Sequence, residues 1–354
     1  MATNDQVKAL VKSHADGDDS QFYSVAMQVA AKAARRGHAK SAQELRDLVT
    51  ELRRETHAKA KLAPVLAISQ PRGELASLVT VSYPDVRFNS LVLSEDIRKR
   101  LKNVIVEQRQ RDKLARYNLQ PVRRLLFTGP PGTGKTSSAK ALAGELKLPL
   151  FSIRLEAILT KFMGETAAKL RIIFDALSEN KGVYFFDEVD AIAGERTSQN
   201  DVGEIRRVLN SFLQFLEEDT SESVIVAATN HPQLLDGAFF RRFDQLIDFD
   251  LPRDEEIRDV IENRIALFDL TGVAWNSICA IADGLSHSEI ATAAENTAKR
   301  VILSEGGTDD PEIWTQYLVQ ELEERSSFGK ASYGDARLNS FVEKGSLFSI
   351  LKHD

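Results

Sequence analysis

One eight-residue stretch limits what this chain can fold into more than any other: GPPGTGKT, from Gly129 to Thr136. It fits the pattern G-x-x-x-x-G-K-[ST] in full. The apolar run RLLF comes just before it, and the helix-forming SSAKALAGEL follows it. A strand, a glycine-rich loop and a helix in that order make a device for holding an anion. Glycines let backbone N–H groups crowd around a phosphate as a concave nest. The helix behind them points the positive end of its dipole at the same place. Pro131, Gly132, Thr133 and Gly134 are the expected cradle, with Ser137 just beyond it. Lys135 is expected to reach the outer phosphates of a nucleoside triphosphate, and Thr136 to offer its hydroxyl to Mg²⁺.

The pattern around the loop fits that reading. Short apolar runs recur at Leu125–Phe127, Leu150–Ile153, Val183–Phe186, Val224–Ala228 and Leu246–Phe249, with helical stretches between them. Such alternation predicts a parallel sheet covered by helices on both faces. We expect this α/β unit over 91–250, and a strand-free helical unit over 251–326. Residues 1–62 carry three apolar stripes at helical spacing, which predicts a three-helix N-terminal domain. Its many bases make either a solvated helical face or a docking surface for an acidic partner. Residues 63–90, with Pro64, Pro71 and Pro84, read as a linker, and 327–354 as an irregular tail.

Three further sites carry chemistry. Asp187 and Glu188 end the run VYFFDE. At a strand's C-terminal end Asp187 can hold Mg²⁺, and Glu188 can deprotonate an attacking water. The plainer alternative is that both acids cap the next helix. Asn230 closes VIVAATN, where its amide can position that water or simply make a turn. Arg241 and Arg242, in FFRRFD, can neutralise charge on a transferring phosphoryl group or can be ordinary solvated arginines.

The chain has 354 residues and a net charge of −6, which argues against a protein whose main business is coating nucleic acid. No apolar run approaches the roughly 18–20 residues that span a membrane. The first residues, MATNDQVKALVKSHADGDD, are polar where a secretory signal would be apolar, so we expect a cytoplasmic protein. The one cysteine, Cys279, is expected to be a small apolar helix residue.

Taken together, GPPGTGKT, KFMGET, FFDEVDAI, AATN, LLDGAFFRRFD and GLSHSEI resemble the AAA subgroup of AAA+ ATPases over residues 90–305. The adjacent arginines resemble those of the spastin and katanin branch. The resemblance implies a P-loop AAA+ module, with a parallel sheet of strand order 5-1-4-3-2, helices around it, a helical lid and the N-terminal helical domain ahead of it. It also implies ATP and Mg²⁺ as ligands, with Thr136 and Asp187 at the metal, and a homo-oligomeric ring, commonly of six. Glu188, Asn230, Arg241 and Arg242 are then the catalytic set, the arginines acting on the next subunit's site. Lys161, Phe162 and Met163 align with the pore loop that grips a threaded polypeptide. An aromatic face beside a soft thioether suits that task, although Phe162 folded into the core is the plain alternative. Gly194–Asp201 would be a second pore-facing segment.

Two segments depart from the family pattern. The lid reads Ser286-His287-Ser288 where Ser-Gly-Ala is usual, so Ser288 is expected near the nucleotide and His287 either near it or in solvent. The leading Asp-Val-Gly-Gly motif is replaced by the stretch around Phe88–Leu93, to which the resemblance assigns adenine contacts. The first functional expectation is a ring that remodels or threads a protein substrate. The second is a regulatory ATPase that controls a partner through the N-terminal domain, such as a subtilisin-like protease encoded in the same operon. A nucleic-acid motor is the third.

Overall fold

The computed structural model describes residues 73–158, 163–193, 202–304 and 310–332, together with 25–27, 29, 30, 43 and 49. The expected three-helix domain lies almost wholly outside them; of its stripes, Ala26 and Val49 are buried in one small cluster. The chain divides into two compact units, at Asp250 and Leu251.

The first unit is built on a six-stranded sheet: β1 (Val79–Ser82), β2 (Arg124–Thr128), β3 (Leu150–Ile153), β4 (Val183–Phe186), β5 (Val224–Thr229) and β6 (Gln245–Asp248). Their order is β1-β3-β4-β5-β2-β6. Strands β2 to β6 are parallel, and numbered among themselves they run 5-1-4-3-2, as the resemblance implied. Strand β1 makes the sheet mixed, pairing antiparallel with β3 from Val79↔Ile153 to Ser82↔Leu150. That corrects the expectation of a linker over 63–90. The run Val79-Thr80-Val81 is β-branched and short, and Val79 is buried in the core together with Leu78 just before it. The prolines around it hid the strand.

Every residue of β4 and β5 is buried. Side chains alternate between faces along a strand, so the two sides of the sheet collect two cores. One gathers Leu126, Tyr184, Phe186, Ile225 and Ala227 against the helices Met163–Glu179 and Val202–Glu218. The other gathers Leu125, Phe127, Phe185, Val226 and Ala228 against Glu95–Arg109 and Lys135–Leu146. On the first side Phe186, Phe212 and Phe239 form a chain of ring contacts with centroids 5.2 and 6.1 Å apart. Burying each such ring contributes about 1.5–3 kcal/mol.

Phe88 and Leu91, expected near the adenine, pack into the second core or against it. Arg98 holds their segment by donating to the carbonyls of Phe88 (3.0 Å) and Leu91 (2.9 Å).

The second unit comprises the helices Asp254–Arg264, Trp275–Ala282, His287–Leu303 and Pro311–Ser332, with no strand among the described residues. Ser286 starts the third with a capping box: its hydroxyl accepts from the Glu289 N–H, and Glu289 Oε2 accepts from the Ser286 N–H at 2.7 Å. The last helix runs to Ser332, past the tail boundary expected at 327. Trp314, Leu318 and Leu322 bury one face of it, and the polar turns beyond extend a helix that is already anchored.

Candidate active site

The order β4-β5-β2 brings three strand ends side by side. The glycine-rich loop leaves β2, Asn230 follows β5, and Asp187 and Glu188 follow β4. This is the carboxyl edge of the sheet, where open α/β folds bind ligands.

The loop's backbone is set by its glycines. Gly129, Gly132 and Gly134 all have positive φ, at 135°, 77° and 99°. At Gly129 a Cβ would lie 2.1 Å from the Phe249 carbonyl oxygen, so β6 packs where any side chain would stand. Lys135 opens the following helix and is buried. Its ammonium donates to the carbonyls of Gly129 and Pro130, both at 2.7 Å. The lysine thus lies along its own loop. Burial pushes it down to about 8, while Asp187, Asp190 and Asp248 pull the other way. Thr133 is buried and donates to Pro130 O. Pro131 and Gly132 are exposed, and Ser137 and Gly134 partly so.

Thr136 donates its hydroxyl to Asp187 Oδ2 at 3.0 Å, tying the loop to the end of β4. The other carboxylate oxygen of Asp187 accepts the Glu188 N–H at 3.1 Å. Glu188 is exposed and has φ 54°, a left-handed conformation that costs a residue with a side chain about 1–2 kcal/mol. Its cause is a slip in the ladder. The alternation of the β4–β5 pairing would give the Ala228 carbonyl the Glu188 N–H; Val189 donates there instead, at 3.0 Å. One extra residue therefore bulges from the strand end, and the bulge leaves the Glu188 carboxylate in the open.

Asn230 is partly buried at the end of β5. The residues on either side of it are linked: the His231 N–H donates to Thr229 Oγ1 (3.0 Å), and that hydroxyl donates to Asp190 Oδ1 (2.7 Å).

The two arginines part company. Asp236 caps the short helix Gly237–Phe240 by accepting the Phe239 N–H, and Phe239 anchors that helix in the core. Arg242, just after it, is partly buried and pairs with Glu217 at 2.9 Å. Arg241 is exposed and has no ion pair among the described residues.

Lys161 and Phe162 lie outside the described residues, as does Gly194–Asp201; Met163 is the first residue of the helix Met163–Glu179. In the second unit, Ser288 is exposed in the first turn of its helix. The ring nitrogens of His287 are buried without a hydrogen-bond partner, so the ring does not point to solvent. Burial lowers its pKa, opposed by Glu256.

Asp190, Thr229 and Glu217 were not singled out from the sequence. For the first two the signal was there: each adjoins a motif residue, in DEVD and in AATN. Glu217 had none, because it meets Arg242 only through the fold.

A phosphate-cradling loop at the carboxyl edge of a 5-1-4-3-2 sheet, with an acidic pair two strands away, defines a P-loop nucleotide-binding module. Residues 125–251 match the family described as ATPase family associated with various cellular activities (AAA). The AAA family ATPase y4kL of Sinorhizobium fredii is 30% identical over 345 residues, 97% of this chain and 100% of that one. The ATP-dependent zinc metalloprotease FtsH of Helicobacter felis is 31% identical over 263 residues, 71% of this chain but only 40% of FtsH. Among solved structures, the FIGL-1 AAA domain superposes with a TM-score of 0.56 at 21% identity, covering 72% of this chain and 92% of that one. The chain belongs to the AAA family of ATPases.

Proposed function

We propose that this ATPase hydrolyses ATP with Mg²⁺ at a site completed by a neighbouring copy in a ring, commonly of six, and uses the cycle to pull on a protein substrate. The observation that carries the reading is the Thr136–Asp187 hydrogen bond, with the exposed Glu188 beside it. It sets two oxygen ligands suited to a hard cation next to a phosphate cradle and a free carboxylate. Mg²⁺ held by Thr136 and Asp187 would neutralise phosphate charge. Lys135 leaves its own carbonyls for the outer phosphates, and the N–H groups of Gly132 to Thr136 bind the rest. Ser137 lines the exit of the loop. Asn230 holds a water in line with the γ-phosphorus, and Glu188 takes its proton as the new P–O bond forms and the bond to ADP breaks.

Arg241, exposed and without an ion pair among the described residues, is the group we assign to the next subunit's γ-phosphate; Arg242 is held at home by Glu217. Lys161, Phe162 and Met163 grip the substrate. The similarity to FtsH, an ATP-dependent zinc metalloprotease, supports a protein substrate. No helix among the described residues is long and apolar enough to cross a membrane, and we place the protein in the cytoplasm, where ATP is abundant.

Replacing Glu188 by Gln tests the chemistry. The variant is expected to bind ATP as tightly as the parent and to hydrolyse it on the order of 10²–10⁴-fold more slowly. Near-parental turnover would remove Glu188 as the base.

A further inference from the structure

The hydrogen-bond chain beside Asn230 has the form of a clamp. Thr229 is buried to 1% exposure at the end of β5, and its hydroxyl is both acceptor and donor. It accepts the His231 N–H (3.0 Å) and donates to Asp190 Oδ1 (2.7 Å). Asn230 lies between the two backbone positions thus tied together. Asp190 lies two residues beyond Glu188, at the start of the helix Asp190–Ala193. Between Glu188 and Asp190, Val189 is fixed by its N–H to the Ala228 carbonyl (3.0 Å) and by a fully buried side chain. The left-handed Glu188 therefore stands on a segment fastened at both following residues. Val189 is fastened to Ala228 and Asp190 to Thr229, and the Thr229 hydroxyl also holds His231 on the far side of Asn230.

We propose that Thr229 and Asp190 are a positioning pair: their hydrogen bond sets the distance between Glu188, the base, and Asn230, which holds the water that the base deprotonates. This rests on the ATPase reading above. Neither residue needs to touch ATP. A hydroxyl is required because one group must accept from one segment and donate to the other. Valine fills the same space and does neither. Strain at Glu188 makes the tie necessary, since a left-handed residue persists only where its surroundings hold it.

The test uses the full chain and four comparisons. Thr229→Val is expected to keep ATP affinity and KM within about twofold of the parent while kcat falls by about 10²-fold, the scale of an ångström's misplacement. Thr229→Ser keeps the hydroxyl and is expected to recover most of kcat. A purely structural role would instead lower the melting temperature and the fraction of sites that bind ATP, and would leave turnover per bound site unchanged. Should Thr229→Val not fold, Asp190→Ala and Asp190→Asn repeat the comparison, because the asparagine carbonyl still accepts the Thr229 hydroxyl. The proposal is overturned if Thr229→Val turns over at the parental rate per bound site, if Val and Ser fall equally, or if the loss lies in KM alone. Failure of the underlying reading looks different: Glu188→Gln would then hydrolyse ATP normally, whatever the Thr229 variants do.

Discussion

On the proposed reading, Lys135 is a side chain prepared for its ligand. Its ammonium rests on the Gly129 and Pro130 carbonyls, and burial brings it down to about 8. Below that pH the lysine is charged and can exchange its carbonyl partners for phosphate. Above it, the free protein has lost the proton that phosphate binding needs. ATP affinity is therefore expected to be level from pH 7 to 8 and then to weaken by up to about tenfold per pH unit. Lys135→Arg, charged throughout, removes that slope; an affinity level to pH 9.5 in the parent would contradict the assignment. The stability linkage has the opposite sense. The unfolded lysine keeps its proton to its ordinary value near 10.5, so between about 8 and 10.5 this group's contribution to stability rises with pH. At this scale the motif residues were legible, because phosphate and Mg²⁺ chemistry demand particular side chains at fixed spacing. The left-handed Glu188 was not, since its cause is a slip between two strands that are far apart in the sequence and meet only in the fold, as in the pairing Phe186↔Ala227.

Among the elements, the loop and the edges of the sheet differ in how much they tolerate. Gly129 and Gly134 both have positive φ, but only Gly129 faces an obstacle, the Phe249 carbonyl. At Gly134 a Cβ would meet nothing within 4 Å. Gly134→Ala is thus expected to cost about 1–2 kcal/mol from backbone strain alone. Gly129→Ala should cost more, because the end of β6 must move, and thermal unfolding of the two variants measures the gap. Equal losses would mean that the packing of Phe249 is not what demands a glycine. The parallel strands were legible because strands buried on both faces read as unbroken apolar runs, as VYFF and VIVAAT do. Strand β1 was not: it is a half-buried edge of only four residues, too short for its inward–outward alternation to stand out beside the neighbouring prolines. The final helix overran its expected end because the apolar stripe that signals a helix stops where packing stops, whereas the backbone continues to Ser332.

On the scale of the whole molecule, the two arginines give the clearest inference. No sequence rule separates neighbours of the same type; the fold does, by pairing Arg242 with Glu217, and on the proposed reading Arg241 is the one that serves another copy. What that assembly works on is tested at Phe162. For a threading ring, Phe162→Ala is expected to abolish processing of a protein substrate and keep ATP turnover within about twofold, since loss of an aromatic grip leaves the phosphate site alone. If processing survives, the regulatory role is the better account. The trans-acting arginine is tested most directly by mixing two inactive variants, Glu188→Gln and Arg241→Ala, under conditions where subunits exchange. In a mixed ring, an Arg241→Ala subunit keeps its own Glu188 and receives Arg241 from a Glu188→Gln neighbour. Our account predicts that ATP hydrolysis returns on mixing, and an exchanged mixture as inactive as either variant alone would contradict it.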